Sequence, residues 1–290
     1  MSSQTGDASN NVFFSSLDAL DTIDGLGGTD TVSYDSPSAA LGPVRVDLAI
    51  AGAQNTSGSN WDKLISIENL IGSRFSDTLI GNAEANEIDG GSGLSDDRLD
   101  GREGVDTVSY ASANAGVTVS LALAGPQNTL GAGVDTLANF ENLRGSSFSD
   151  VLTGNNASNL IEGGKGADVI TGSLGADRLA GGSGADRFRY LTVTESPNSP
   201  NLCDRILDFN PAEPNERIDV SAIDANSFVG GNQAFVWKGL IANPLALAVG
   251  ELGYISAAGG SVVYGRSSAA VDFSLRLDGV SALAAGHFIL

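Results

Sequence analysis

Between Gly163 and Arg189 the chain reads GGKGADVIT, GSLGADRLA, GGSGADRFR, three consecutive blocks of nine residues. Asp168, Asp177 and Asp186 stand at one phase of the period, and Ile170, Leu179 and Phe188 follow each aspartate by two. A fixed short period of this kind confines the fold to stacked, nearly identical turns, because one block cannot bury its apolar residue alone.

The same register runs backward through GNNASNLIE and GSSFSDVLT, with Asn159 and Asp150 at the acidic phase. It reappears from Gly72 to Ser109 in GSRFSDTLI, GNAEANEID, GGSGLSDDRLD and GREGVDTVS, and from Gly25 to Ser33 in GLGGTDTVS. A longer repeat encloses these blocks. DTVSY at Asp30 recurs at Asp106, QNT at Gln54 recurs at Gln127, and IENLIGSRFSDTLIGN recurs as FENLRGSSFSDVLTGN. Between the copies, VRVDLAI and VTVSLAL alternate apolar and polar residues and read as half-buried strands.

In such a nonapeptide the first six residues turn and the last three form a short strand whose middle apolar side chain points inward. The glycines are needed where the turn demands positive φ and close backbone approach. Each block makes half a coil, so residues eighteen apart lie one above the other on the same edge. Stacked turns then gather backbone carbonyls and two carboxylates, the hard oxygen donors that Ca²⁺ takes in sets of six to eight.

The ligand candidates are Asp168, Asp177 and Asp186, with the turn glycines Gly163, Gly164, Gly166, Gly172, Gly175, Gly181, Gly182 and Gly184. Asp168 and Asp186 both follow full glycine turns and are expected to flank the best site. Asp177 is expected to pair with Asn159 on the opposite edge. Asp150 with Asp168, Asp77 with Asp97 and Asn86 with Asp106 each include a crowded turn and are expected to form partial or vacant sites. Asp30 follows a good turn, but Asp21 below it is expected on the other edge.

Thirty-eight glycines and 41% hydrophobic residues over 290 positions suit an all-β fold with a true core. A formal charge of −20 argues against nucleic acid and anionic lipid as partners. Cys203 is the single cysteine, so no intrachain disulfide can form and a metal is the remaining staple. The first residues carry no basic and apolar signal segment, and no stretch is apolar enough for a membrane span. One histidine, His287, cannot supply H-E-x-x-H with a third zinc ligand, and it argues against Ser-His-Asp and Cys-His hydrolases as well. No catalytic activity is expected. Cys203 reads as a small buried hydrophobe, and the tyrosines and Trp61 and Trp237 as packing residues.

The nonapeptides resemble the RTX repeats of exported toxins, proteases and adhesins of Gram-negative bacteria. From Ala185 onward, GADRFRYLTVTES, DRILDFNPAEPNERIDVSAIDAN, GNQAFVWKG, GELGYIS and DFSLRLDGVSALAAGHFIL resemble the C-terminal domain of serralysin-type metalloproteases. The resemblance implies a parallel β-roll or β-helix of stacked RTX coils over residues 16–189, after a flexible segment 1–15. A β-sandwich-like cap over 190–290 follows, with Asp204, Asp208 and Asp219 as secondary metal candidates. It also implies an extracellular location, several Ca²⁺ ions, and export by a type I ABC transporter that reads an uncleaved C-terminal signal; His287 stands where that family carries an acidic residue. Two alternatives stay open: an adhesin or matrix protein binding polysaccharide or a cell surface, and a non-catalytic carrier module of a larger secreted enzyme.

Overall fold

The computed structural model describes residues 2–16, 20–35, 42–57, 60–199 and 201–290. They form short β-strands with two single-turn 3₁₀ helices, Pro244–Ala246 and Ala285–His287, and no α-helix occurs among them. The chain divides into two compact units, Met1–Ser147 and Phe148–Leu290.

In the first unit the strands Val12–Phe14, Thr31–Ser33, Asn69–Ile71, Glu87–Asp89, Thr107–Ser109 and Asn142–Arg144 stack in parallel. Their middle residues Phe13, Val32, Leu70, Ile88, Val108 and Leu143 lie in register and are buried. A second parallel stack joins Arg45–Asp47, Thr78–Ile80, Arg98–Asp100 and Val134–Ala138, and a third joins Ser2–Thr5, Asp21–Asp24 and Asn60–Ile65. Each stack thus lays one column of largely apolar side chains into the core, the apolar ones worth roughly 1.5–3 kcal/mol each when fully buried. The first fifteen residues, expected as a flexible lead-in, instead supply two strands. Val12-Phe13-Phe14 offers the inward Phe13 that the bottom of a column requires.

The longer repeat inserts hairpins into this unit. Gln54 and Gln127 act identically: the Gln54 amide accepts from Asp47 N–H and donates to Asp47 C=O, and Gln127 does the same to Ser120. The threonine of the same QNT motif, the buried tyrosine of DTVSY and an aspartate then form a tie. Tyr34 Oη and Thr56 Oγ1 both donate to Asp62 Oδ2 at 3.1 Å, and Tyr110 Oη donates to Asp135 Oδ2 at 3.2 Å beside Thr129. Tyr34 and Tyr110 are therefore core residues, and burial pushes both phenols up.

In the second unit Val151–Thr153, Val169–Thr171, Arg187–Arg189, Arg217–Asp219 and Phe288–Ile289 form one parallel stack. Leu160–Lys165, Arg178–Ser183, Arg205–Ile206 and Phe273–Asp278 form another, extended by the antiparallel strands Gly260–Arg266 and Glu251–Ala257 and then by Val236–Leu240. The partners Ile161↔Leu179 and Ile170↔Phe188 give the eighteen-residue register. The expected cap boundary near residue 190 falls inside this unit, where Ile206, Ile218, Leu277 and Phe288 continue the two columns. Cys203 is buried, and Phe288 packs on Trp237, which stacks on Tyr254. His287 accepts a hydrogen bond from Ala284 N–H and lies edge-on to Phe209.

Candidate metal centre

In the nonapeptides of Asp97, Asp106, Asp168, Asp177 and Asp186 the aspartate ties one coil to the next. Its Oδ1 accepts the main-chain N–H of the equivalent residue in the preceding coil. Asp168 does this for Asp150 at 2.8 Å, Asp186 for Asp168 at 2.9 Å and Asp177 for Asn159 at 2.8 Å. In the first unit Asp97 does so for Asp77 at 2.8 Å and Asp106 for Asn86 at 2.7 Å. The expected pairs are therefore brought together.

Several ladder members were not expected. Asp204 Oδ1 accepts from Asp177 at 2.9 Å, so Asp177 lies between Asn159 and a second acid. Asp135 caps Asp97, Glu141 caps Asp106 and Glu68 caps Asp30, while Asp30 itself caps Asn11. Asp21 does lie in a different stack, aligned with Asp62. A legible signal existed: Glu68-Asn69-Leu70, Asp135-Thr136-Leu137, Glu141-Asn142-Leu143 and Asp204-Arg205-Ile206 all place an acid two residues before a buried aliphatic, and Gly133-Val134-Asp135 repeats the Gly104-Val105-Asp106 turn. Asp208 accepts from Gly181 and Gly182 N–H, and Asp219 accepts from Ser221 N–H.

The second carboxylate oxygen separates two kinds of turn. In the turns opening Gly72-Ser73, Gly81-Asn82 and Gly154-Asn155, the second residue's N–H donates to the side chain of Asp77, Asn86 or Asn159. Those turns close on themselves. In the turns of Asp30, Asp97, Asp106, Asp168, Asp177 and Asp186 the second residue has positive φ: Leu26 65°, Gly91 104°, Arg102 71°, Gly164 106°, Ser173 74° and Gly182 90°. That conformation rotates the N–H away. Leu26, Gly91 and Arg102 donate instead to Asp24, Asp89 and Asp100. Asp30, Asp106, Asp168 and Asp177 are left with an Oδ2 that is buried and accepts no hydrogen bond.

The glycines divide the work differently from expectation. Gly163, Gly172 and Gly181 do not have positive φ; a Cβ on any of them would strike the Oδ2 of Asp168, Asp177 or Asp186. The first glycine makes room for the carboxylate, while Gly164, Gly166, Gly175, Gly182 and Gly184 supply the left-handed turn. Above Gly163 the Asp168 Oδ2 and the Gly181 carbonyl oxygen of the next coil converge on one point. The same convergence joins Asp30 Oδ2 with Ser66 O over Gly25, and Asp106 Oδ2 with Asn139 O over Gly101.

A buried carboxylate oxygen that faces a carbonyl oxygen with no donor between them is unfavourable until a cation or a proton joins the two. Burial accordingly pushes Asp168 and Asp177 up to about 7, Asp97 to about 8 and Asp106 to about 6. Burial raises Asp186 too, with Asp208 and Glu213 adding like charge. The oxygens that converge over Gly25, Gly101 and Gly163 are one carboxylate and one carbonyl each, and no group of three or more His, Cys, Asp or Glu side chains suited to a metal occurs among the described residues. Carboxylate and carbonyl oxygens are the donor type that Ca²⁺ prefers, whereas Zn²⁺ prefers thiolate and imidazole.

A family model described as RTX calcium-binding nonapeptide repeat, in four copies, matches residues 66–95, 137–168 and 153–188. The chain carries RTX calcium-binding repeats. The matched segments include the turns of Asp77, Asp150, Asn159, Asp168, Asp177 and Asp186, so open and closed turns both count as RTX repeats by sequence. No curated protein matches the chain. Among solved structures, it is similar to the AlgE6R3 subunit of the Azotobacter vinelandii mannuronan C5-epimerase, at 28% identity and a TM-score of 0.36, over 51% of this chain and 76% of that one. The AlgE6R2 subunit of the same enzyme is 26% identical with a TM-score of 0.37, over 51% of this chain and 91% of that one.

Proposed function

We propose that this protein is a non-enzymatic extracellular module whose RTX coils are folded by calcium after type I export. The observation that carries the reading is the set of buried, unpartnered Oδ2 atoms of Asp30, Asp106, Asp168 and Asp177, three of them facing a carbonyl of the next coil. A bound Ca²⁺ supplies positive charge that offsets the desolvation of these carboxylates. The chain's part is to hold each oxygen in place: Oδ1 is fixed by the N–H one coil below, and the first glycine leaves space for Oδ2.

In calcium-poor cytosol the same carboxylates, in a chain of charge −20, oppose coil stacking and keep the chain open for a transporter. Calcium outside the cell, bound with Kd on the order of 10⁻⁴ to 10⁻³ M as in extracellular modules, closes it. The resemblance of residues 185–290 to serralysin C-terminal domains supports the route. Circular dichroism of the full chain in chelator and in millimolar calcium, with stoichiometry by calorimetry, tests the reading. Above about pH 8, where the carboxylates are ionised, β-structure gained only with calcium is the expected result, and a chain equally folded in chelator overturns it.

A further inference from the structure

The connections between stacked strands of the first unit are unequal in length. Strands Asp21–Asp24 and Thr31–Ser33 are joined by the six residues 25–30, and strands Thr78–Ile80 and Glu87–Asp89 by the six residues 81–86. Between them in the stack, Asn60–Ile65 and Asn69–Ile71 are joined by only three, Ser66, Ile67 and Glu68, with Ser66 making the reversal at φ 50°. The short link leaves a recess of about 330 Å³ where a full turn would lie, the size of a small-ligand pocket. Leu26 bounds it from the turn on one side, Asn82 and Glu84 from the turn on the other, and Ser66, Ile67 and Glu68 from the link itself.

The wall of this recess carries acceptors and no cation. Glu68 Oε2 accepts Asp30 N–H at 2.8 Å, which leaves Oε1 to the recess. Among the described residues neither Glu68 nor Glu84 makes an ion pair, and no Lys or Arg lines the recess. Two carboxylates on one recess repel each other and any anion, and a cation between them offsets that repulsion. A bare metal ion is far smaller than the recess, and no group of three or more His, Cys, Asp or Glu side chains suited to a metal occurs among the described residues. The space calls for an organic cation that brings hydrogen-bond donors of its own.

We propose that this recess binds a primary alkylammonium ion, the group carried by linear polyamines and by lysine side chains. An ammonium has three N–H donors and no acceptor, which suits a wall of Glu68 Oε1, the Glu84 carboxylate and the Ser66 hydroxyl. The methylenes next to it lie against Leu26 and Ile67. The chain's charge of −20 draws such a cation in. The proposal goes beyond the calcium reading and uses none of the Asp30, Asp106, Asp168 or Asp177 oxygens, so its failure leaves that reading standing.

The test is calorimetric titration of the calcium-saturated full chain with putrescine, with butanediol and with N-acetyl-lysine amide. Putrescine is expected to bind, more weakly as salt rises, and butanediol is not. N-acetyl-lysine amide binding as tightly as putrescine assigns the recess to a lysine side chain, and binding of putrescine alone assigns it to a free polyamine. Glu84→Gln and Glu68→Gln should each bind putrescine about tenfold more weakly, whereas Glu103→Gln, the same charge change outside the recess, should match the parent at about 0.15 M salt. Absent binding, equal binding of butanediol, displacement of putrescine by added calcium, an equal loss in Glu103→Gln, or parent affinity in both recess variants overturns the proposal. Circular dichroism in calcium checks each variant's fold, and if Glu68→Gln does not fold, Glu84→Gln decides.

Discussion

Asp168 N–H donates to Asp186 Oδ1 at 2.9 Å, so a residue and its equivalent eighteen positions later share one hydrogen bond across stacked coils. The bond uses one carboxylate oxygen and aims the other into the turn. An aspartate here has two separable jobs, tying coils and offering a metal ligand, and substitutions can divide them.

Asp168→Asn keeps an oxygen for the tie but weakens the ligand, and should lower calcium affinity at its site by about tenfold or more. Asp77→Asn, in a turn whose own Ser73 N–H already satisfies the carboxylate, should leave the calcium titration unchanged. Calorimetry on both variants checks the division into open and closed turns. An equal loss in both would remove it.

Gly163→Ala places a methyl group against Asp168 Oδ2 and should cost a calcium ion from the measured stoichiometry. Gly230→Ala, where an added Cβ meets nothing within 4 Å, should not.

The pH dependence of the calcium-free chain follows from Asp97, Asp168 and Asp177, which burial raises from 3.8 to about 8, 7 and 7. The folded form holds protons that the unfolded form releases. This contribution is fully present below the unfolded value near 4 and is lost as pH rises through about 7 to 8. In chelator, the β-structure missing at pH 8.5 should be partly recovered at pH 5, read by circular dichroism. Calcium affinity should run the opposite way, because protons compete for the same oxygens.

Tyr110→Phe removes one donor to the buried Asp135, which keeps Asp97 N–H, and should cost about 1 kcal/mol in urea unfolding of the calcium-saturated protein. Tyr34→Phe should cost a similar amount, because Asp62 likewise keeps Thr56 and Ser15 as donors.

Trp237 stacks on Tyr254 at 5.8 Å and packs on Phe288 at 4.5 Å, whereas Trp61 is 48% exposed. The calcium-dependent change in tryptophan fluorescence should therefore persist in Trp61→Phe and largely vanish in Trp237→Phe.

Period nine, with aspartate at one phase and an aliphatic two residues later, determined the stacked coils, the eighteen-residue register and the inward columns through Ile161, Leu179, Ile170 and Phe188. Those properties are local and repetitive, so a pattern carries them. Tertiary structure decided the remainder. Whether Asp77 or Asp168 keeps an oxygen for a cation depends on the backbone of Ser73 and Gly164, and non-glycine Leu26, Arg102 and Ser173 adopt the same left-handed φ that glycine allows. The partners Asp204, Asp135, Glu141 and Glu68 come from coils of unequal length, so nine-residue spacing cannot reach them. The strands Arg178–Ser183, Arg205–Ile206 and Phe273–Asp278 pair across 27 and 71 residues, a proximity that only the completed stack creates.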